Sequence, residues 1–238
     1  MSKLLPIAEL IKQLLELEFK EEAKYTLESK KDWLLNIPDK DLYNEFWEEI
    51  SDVYSGLVDD KWTLDDKLEY KSNLMKNGMA RIDIWFEEPY NFICEFDEKQ
   101  HFNQYRLITL KRGYKNLKFS FDYNSYYDLS SKSIVNPGKS GFHKLKSKDI
   151  LFPEVLKGDK QDNRIRQRAF RDYLKDIVPV KMGYNPTVRI SYQVTNNGIK
   201  GFTEEDLENI KKYLYDNCVF NNLELKQMVG RWNDDYDQ

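Results

Sequence analysis

Three carboxylates occupy positions in the sequence from which they could hold a metal ion together. Asp83 lies in a segment that alternates polar and apolar residues, and Glu95 and Asp97 are two residues apart in a second such segment. Mg²⁺ takes carboxylate oxygens as ligands, together with water and the oxygens of a substrate phosphate. A bound divalent ion polarises a phosphoryl group, lowers the pKa of a bound water and stabilises charge on the leaving oxygen. The three residues therefore predict a metal site suited to phosphodiester hydrolysis.

Two adjacent strands are needed to bring these carboxylates together. The alternation of residues predicts strands over 81–86 and 92–97, joined by a short turn. Side chains alternate between the two faces of a strand, so pairing of the strands as an antiparallel hairpin directs Asp83 and Glu95 into the same small volume. An acidic, solvent-exposed hairpin face that binds no metal ion would produce the same pattern.

The residues that follow the hairpin carry a recognisable pattern. Residues 95–102 are Glu-Phe-Asp-Glu-Lys-Gln-His-Phe, and the next predicted helix carries Arg106, Leu110 and Gly113. The pattern resembles the restriction-endonuclease-like PD-(D/E)xK nuclease superfamily, which has an Asp, a short hairpin, an acidic residue, one spacer and usually a Lys. It is most similar to the branch related to very-short-patch repair endonucleases, with Glu-x-Asp-x-x-Gln-His before a helix with Arg, Leu and Gly. The resemblance covers residues 81–121.

The resemblance implies a fold, a metal and ligands for it. The implied fold is α/β, a restriction-endonuclease-like core with a mixed central β-sheet flanked by helices, to which C-terminal helix and strand elements are added. The implied ion is Mg²⁺, for which Mn²⁺ can substitute, bound by Asp83, Glu95 and Asp97. An acidic residue from a preceding helix would complete the ligand set. The candidates are Glu45, Glu48 and Glu49, of which Glu45 is assigned to the metal.

One position departs from the superfamily pattern. The usual Lys, which positions or activates the attacking water, is replaced by Asp97. Lys99 can reach the site from two residues further on, and Gln100 can orient the water. His101 can act as a base, because the usual pKa of a histidine lies near neutrality. The sequence leaves this choice open, and it also allows a protein that keeps the nuclease fold but binds DNA without cutting it.

A second group of residues fits the phosphates of nucleic acid. Lys and Arg outnumber Asp and Glu by more than two to one between residues 99 and 181, although the net charge of the whole chain is −4. On the helix predicted over 162–177, four cations lie three or four residues apart and therefore share one stripe. Such a row suits contacts with a DNA backbone, and a solvated or salt-bridged helix face predicts it equally well. The predicted DNA-contacting residues are Arg106, Arg112, Lys144, Lys146, Arg164, Arg168, Arg171 and Lys175.

The composition is typical of a folded protein with a hydrophobic core. Hydrophobic residues make up 40% and aromatic residues 14% of the 238 residues, which argues against a disordered chain. No stretch is long and apolar enough to cross a membrane, and charges interrupt the N-terminal apolar run too early for a secretory signal. Cys94 and Cys218 form neither a disulfide framework nor a metal-binding spacing. We therefore expect a cytoplasmic protein.

The spacing of apolar residues predicts the remaining elements. Helices are predicted from the N-terminus to about Phe19 and over 41–54, 103–114, 162–177 and 204–215. Pro179 is expected to end the fourth of these helices, and Thr203 to cap the fifth. Strands are predicted over 117–121 and 188–194, and a tight turn over 196–198.

These features favour one nuclease domain spanning residues 1–238. Its expected parts are N-terminal helices in 1–60, the catalytic core in 78–125, a basic loop insertion in 130–160, and a basic helix, a strand and the C-terminal helix in 161–238. The predicted function is a magnesium-dependent endonuclease acting on double-stranded DNA, of the type II restriction kind, which can form a homodimer. A catalytically inactive DNA-binding module, a repair nicking enzyme and an RNA nuclease remain as alternatives.

Overall fold

Helices and strands are interspersed along the chain in a computed structural model, which describes residues 4–58, 61–71, 78–115, 117–133, 149–154, 158, 160–195, 202–217 and 219–223. The helices are α1 (Leu5–Phe19), α2 (Trp47–Leu57), α3 (Leu64–Lys71), α4 (Gln104–Gly113), α5 (Tyr123–Lys132), α6 (Asn163–Lys181) and α7 (Glu204–Asp216). The strands are β1 (Tyr25–Leu27), β2 (Lys30–Leu35), β3 (Met79–Arg81), β4 (Ile84–Phe86), β5 (Phe92–Asp97) and β6 (Val188–Ser191). Short 3₁₀ helices cover Asn44–Phe46, Lys99–His101, Tyr192–Val194 and Val219–Asn222.

A mixed four-stranded sheet lies at the centre, with the strand order β1, β4, β5, β6. β1 and β5 both pair antiparallel with β4, whereas β6 pairs parallel with β5. β2 and β3 form a separate antiparallel pair. β5 therefore has a neighbour on each side and helices over both faces, which explains why most of its residues are apolar and buried.

Helices cover both faces of the sheet, so the protein has three layers. One face packs against α1 and α7 through a cluster of buried residues that includes Ile11 and Leu214. The other face packs against α2, α4 and α6 through a cluster that includes Ile93 and Phe170. Because Glu95 lies two residues from Ile93 on β5, its side chain is directed into the layer formed by α4 and α6. Within the described residues, no helix is both long and apolar enough to cross a membrane.

Several predicted elements are confirmed. The sheet is mixed and flanked by helices, α1 ends at Phe19, and α4 covers almost the predicted range. The hairpin is confirmed over a shorter range: β4 and β5 pair antiparallel across their short connection, whereas Arg81 ends β3 and Asp83 lies between β3 and β4. Thr203 caps α7 in a capping box. The backbone N–H of Asp206 donates to the Thr203 side chain, and the backbone N–H of Thr203 donates to the Asp206 side chain.

Other predicted elements are shorter than expected or differ in type. The strand expected over 117–121 is reduced to a single bridge between Ser120 and Val188, because the rings of Phe119 and Phe121 pack against Tyr114 instead of a neighbouring strand. The strand expected over 188–194 ends at Ser191 and continues as a 3₁₀ helix. The segment 1–60 contains β1 and β2 in addition to helices. β1 has only three residues, and β2, with the sequence Lys-Lys-Asp-Trp-Leu-Leu, does not alternate polar and apolar residues.

Helix α6 passes through Pro179, where the sequence predicted that it would end. Proline has no N–H group, so the carbonyl oxygen of Lys175, one turn earlier, loses its helical partner. The hydroxyl group of Thr187 donates to that carbonyl at 2.6 Å. The lost hydrogen bond is thereby replaced, and α6 continues to Lys181. The same contact ties the backbone of Lys175 to the segment that leads into β6.

Gly113 ends α4 directly against α6, which gives this motif residue a packing role. A Cβ atom at Gly113 would lie 2.2 Å from Cε2 of the buried Tyr173. We expect Gly113→Ala to reduce the free energy of unfolding by about 1–3 kcal/mol, because the two helices must move apart. Gly56→Ala is the matched control, since its Cβ would meet only the flexible side chain of Arg112. Urea unfolding measures both variants, and equal losses would contradict the packing argument.

Candidate active site

Asp83 and Glu95 face each other where β4 begins. The register that pairs Ile84 with Cys94 places Asp83 directly opposite Glu95. The backbone N–H of Asp83 donates to Oε1 of Glu95 at 3.1 Å, and the backbone N–H of Phe96 donates to Oδ2 of Asp83 at 3.1 Å. Each carboxylate is therefore held by the backbone of the opposite strand. The structure brings this predicted pair together.

Helix α6 adds a lysine to the pair. Nζ of Lys175 lies 2.5 Å from Oε2 of Glu95, and the two side chains are only 13% and 3% exposed. The sequence assigned Lys175 to a stripe of DNA-contacting cations, but its ammonium group instead contacts a carboxylate of the candidate site. The spacing of charges along α6 could not reveal this contact, because it depends on how the helix packs against β5.

Burial makes ionisation of both carboxylates unfavourable. It raises the pKa of Asp83, and it raises the pKa of Glu95 to about 7, with the charge of Asp83 adding to the rise. Burial would lower the pKa of Lys175, but the neighbouring carboxylates of Glu95 and Asp83 outweigh it and raise that pKa. When both carboxylates are ionised, one protonated lysine does not neutralise them, and a further cation would then be stabilised at the site.

Asp97 is engaged with other groups. Nη1 of Arg189 donates to both of its oxygens, at 2.9 and 2.8 Å, and the hydroxyl of Tyr126 donates to Oδ2 at 2.8 Å. Burial opposes ionisation of Asp97, yet Arg189 and His101 keep its pKa below the usual value. Both oxygens of Asp97 are therefore engaged by Arg189, and the expectation that Asp97 binds the same ion as Asp83 and Glu95 stays a prediction. Its carboxylate is an interior anion already neutralised by a buried arginine.

A second group of possible metal ligands includes Asp97. Asp97, His101 and Asp172 each offer a ligand atom within 4.8 Å of the others, so this group could hold a metal ion. Nδ1 of His101 lies 2.8 Å from Asp172 and 3.2 Å from Asp97. Burial would lower the pKa of His101, but the two carboxylates outweigh it and raise the pKa. Arg189 also contacts Asp97, so part of the negative charge of this group is compensated within the protein.

Arg106 belongs to the same buried network and not to a DNA-contacting surface. It is 1% exposed, and its Nη2 donates to Oδ2 of Asp176 at 3.0 Å. Asp176 also accepts from Nε of Arg189 at 2.6 Å and from the hydroxyl of Tyr114. The prediction that Arg106 contacts DNA is therefore wrong, because the guanidinium group points from α4 into the interior and not to the surface.

Sequence reasoning missed Asp172, Asp176 and Arg189. A signal for Arg189 was present, since it stands between Val188 and Ile190 in a strand whose residues are all buried. A charged side chain in such a strand requires buried partners of opposite charge. The acidic partners lie four residues apart on α6, a spacing that places both on the helix face directed at the sheet.

The candidates for water activation next to the motif lie in different surroundings. Lys99 is exposed. Nε2 of Gln100 donates to Oε2 of Glu98 at 2.8 Å, and the carbonyl oxygen of Gln100 accepts from Nη1 of Arg168 at 3.2 Å. Nδ1 of His101 contacts Asp172. These contacts engage Gln100 and His101 with partners other than the carboxylates of Asp83 and Glu95.

The acidic residues of the preceding helix stay at the surface. Glu45 is exposed on the 3₁₀ helix before α2 and does not belong to the group of possible metal ligands found among the described residues. Glu48 is exposed, and Glu49 lies 2.9 Å from Nζ of Lys181. The assignment of Glu45 to the metal therefore gains no support from its position.

The stripe of cations forms the partly exposed edge of a mostly buried helix. Arg164, Arg168, Arg171 and Lys175 are partly exposed, whereas most residues on the other side of α6 are buried. Nη2 of Arg171 lies 3.0 Å from Asp149. Burial lowers the pKa of Arg168 and of Arg171, and the nearby charge of Arg164 acts in the same direction. The stripe is thus a partly exposed row of cations that leads to Lys175, and in it Arg171 and Lys175 are paired with carboxylates.

The other predicted DNA contacts lie elsewhere. Arg112 is on the surface of α4, where it is 42% exposed and lies 3.0 Å from Asp52. Lys144 and Lys146 lie outside the described residues, as do most of the predicted loop insertion over 130–160 and the turn over 196–198.

Comparison with known proteins identifies a family but no characterised relative. The model of a family of unknown function, DUF7255, matches residues 63–203, which is more than half of the chain. The matched range contains Asp83, Glu95, Lys175 and Arg189. Neither the curated proteins nor the solved structures contain a match to this chain.

Proposed function

Because the chain belongs to the DUF7255 family of unknown function, its activity has to be inferred from its own site, and we propose that it is a divalent-metal-dependent DNA endonuclease. The observation that carries the proposal is the meeting of an Asp, a Glu and a Lys at one point. Asp83 and Glu95 come from the two strands of a hairpin, and Lys175 contacts Glu95 at 2.5 Å. These are the residue types that the PD-(D/E)xK pattern combines.

The donor set fits a divalent cation such as Mg²⁺. Asp83 and Glu95 would hold the ion, because carboxylate oxygens are hard ligands and the two groups lie opposite each other on neighbouring strands. When bound, the ion would supply polarisation of the phosphoryl group and a lowered pKa of water. Asp83 is partly exposed, so this carboxylate can be reached from solvent, whereas Glu95 is buried behind it.

The arrangement of the motif supports a restriction-endonuclease-like core. Asp83 precedes a short hairpin, Glu95 lies on the returning strand, and α4 with Arg106 and Gly113 follows directly. The sheet is mixed and has helices on both faces. We infer this core from the order and pairing of these elements, which agree with what the resemblance implies.

The substrate proposed for this site is double-stranded DNA. Arg164, Arg168 and Arg171 continue along α6 from Lys175, and guanidinium groups at successive turns suit the successive phosphates of a nucleic-acid backbone. Phosphate contacts hold the duplex in position without reading its sequence. A restriction endonuclease is the biological role we favour, and a homodimer would allow both strands to be cut.

Incubation of the purified protein with a supercoiled plasmid of mixed sequence tests the proposal. We expect nicked or linear products with Mg²⁺ or Mn²⁺ and intact plasmid with EDTA, because the carboxylates need an ion to act on a phosphate. A labelled RNA of the same sequence distinguishes a DNA nuclease from an RNA nuclease. Retarded DNA that stays intact with both metals, over many sequences, would instead indicate a DNA-binding module.

A further inference from the structure

In the superfamily pattern, a positive charge lies on the same strand as the metal-binding acidic residue. Strand β5, which carries Glu95, does not provide this charge. At the position where the superfamily pattern has Lys, this chain has Asp97. Asp97 is 1% exposed, and both of its oxygens accept from Arg189. Lys99, two residues further on, is exposed. A residue from another element must therefore supply the charge next to Glu95.

We propose that Lys175 is this residue, a catalytic lysine delivered from α6, and that it and the divalent cation compete for Glu95. The proposal rests on the proposed nuclease function and names the group that contacts the attacked phosphate. Lys175 lies 80 residues after Glu95 in the sequence. It is brought to the site by the packing of α6 against the face of β5 that carries Glu95.

The hydrogen bonds of Glu95 explain why the lysine and an ion compete. Oε1 of Glu95 accepts from the backbone N–H of Asp83 at 3.1 Å. Oε2 accepts from Nζ of Lys175 at 2.5 Å. Each oxygen keeps a second lone pair, so a cation could share Glu95 with Lys175, but the like charge of the neighbouring ammonium group would oppose its binding. If Asp83 and Glu95 held an ion, Lys175 would lose part of its pairing with Glu95 and could pair with another anion.

The surroundings of Lys175 keep its ammonium group at the site. Its side chain is only 13% exposed, so most of the stem is enclosed by the protein. Its carbonyl oxygen accepts from the hydroxyl of Thr187 at 2.6 Å, which anchors this turn of α6 next to β6. A lysine with a fixed backbone and an enclosed stem can exchange one partner for another only over a short distance. A phosphate oxygen of the substrate, held beside Asp83 and Glu95, would be such a partner.

The chemical role follows from the charge of the ammonium group. In hydrolysis, the oxygen of a water molecule forms a bond to phosphorus, and the bond from phosphorus to the leaving oxygen breaks. The attacking water loses a proton to solvent, and the leaving oxygen gains a proton from solvent. Lys175 stays protonated throughout and donates hydrogen bonds to a non-bridging phosphoryl oxygen, on which negative charge increases during the attack.

Lys175→Met separates this role from a purely structural one, because two measurements should move in opposite directions. In an alkaline buffer, in which Glu95 is ionised, removal of the competing ammonium group should tighten Mn²⁺ binding by about tenfold, as expected when a close charged partner is lost. Removal of the donor to the phosphoryl oxygen should slow single-turnover cleavage by on the order of 10²-fold. Calorimetric titration of the protein with Mn²⁺ gives the first quantity and a fluorescent duplex with a cut site gives the second.

Two further variants complete the experiment. Lys175→Arg keeps the charge, so we expect it to keep weak Mn²⁺ binding and to recover part of the cleavage rate. Lys211→Met removes a partly exposed cation from α7, which covers the opposite face of the sheet, so we expect Mn²⁺ affinity and a cleavage rate equal to those of the wild type. Circular dichroism confirms that each variant is folded. If Lys175→Met is not folded, the comparison of Lys175→Arg with Lys175→Gln replaces it.

The outcomes distinguish this inference from the proposed function. Cleavage by Lys175→Met at the wild-type rate would overturn the role of Lys175 and leave the nuclease function intact. Slow cleavage with unchanged Mn²⁺ affinity would overturn the competition for Glu95. A wild-type protein that neither cuts DNA nor binds Mn²⁺ would overturn the proposed function and this inference together.

Discussion

The Glu95→Gln protein is expected to fold as the wild type does and to cut DNA at least about 10³-fold more slowly. Metal-assisted stabilisation of charge at a phosphoryl group contributes several kcal/mol, which corresponds to a rate factor of this order. The substitution is nearly isosteric, and the amide oxygen of Gln can still accept from the backbone N–H of Asp83, as Oε1 of Glu95 does. What disappears is the charge that binds an ion and that pairs with Lys175.

Single-turnover cleavage of a labelled duplex, with calorimetric titration by Mn²⁺, measures this effect. Mn²⁺ affinity should fall together with the rate, because both depend on the same carboxylate. Glu18→Gln is the control, since Glu18 is exposed on α1 and α1 covers the opposite face of the sheet. If Glu95→Gln protein cut DNA as fast as the Glu18→Gln protein, the assignment of the site to Glu95 would be untenable.

Arg189→Met is expected to lower the free energy of unfolding by about 3–5 kcal/mol, the loss typical of removing one partner from a buried ion pair. Arg189 is completely buried and donates to Asp97, to Asp176 and to the carbonyl oxygen of Asp172. Without it, carboxylates on β5 and α6 would keep their charge in the interior with fewer partners. Arg106 and His101 remain as partners and offset part of this cost.

Urea unfolding monitored by tryptophan fluorescence measures the loss. Arg112→Met is the control, because Arg112 and Asp52 form an exposed pair, and such pairs contribute about 0–1 kcal/mol. The double variant Arg189→Met with Asp97→Asn should recover part of the stability, since it also removes a buried charge. A double variant less stable than Arg189→Met alone would show that unpaired charge is not the cause.

The stability of this network and the activity of the site are connected through the same elements. Asp172 and Asp176 hold α6 against β5 and β6, and Lys175 lies between them in the sequence. Asp97 lies two residues after Glu95 and is held by Arg189 on the neighbouring strand. Substitutions in the network should therefore also disturb the position of Lys175 relative to Glu95.

Much of the framework of the site is determined by local sequence. Alternation of polar and apolar residues and a short connection specify the hairpin. The short connection also sets the register of the two strands, and this register places Asp83 opposite Glu95. Helical spacing and end signals specify α1, α4 and α7, including the cap at Thr203. These features depend on residues that are close in the chain, so a single sequence is sufficient to predict them.

What only the tertiary structure decided is which partner each long charged side chain meets. Helical spacing showed that Arg164, Arg168, Arg171 and Lys175 share a stripe, but it carried no information about the surface that the stripe faces. Packing of α6 on β5 then directed Lys175 to Glu95, and packing of α4 turned Arg106 inward to Asp176. The physical reason is that an ion pair between residues 70 or 80 positions apart is set by the docking of whole elements, which depends on the shape of the entire core.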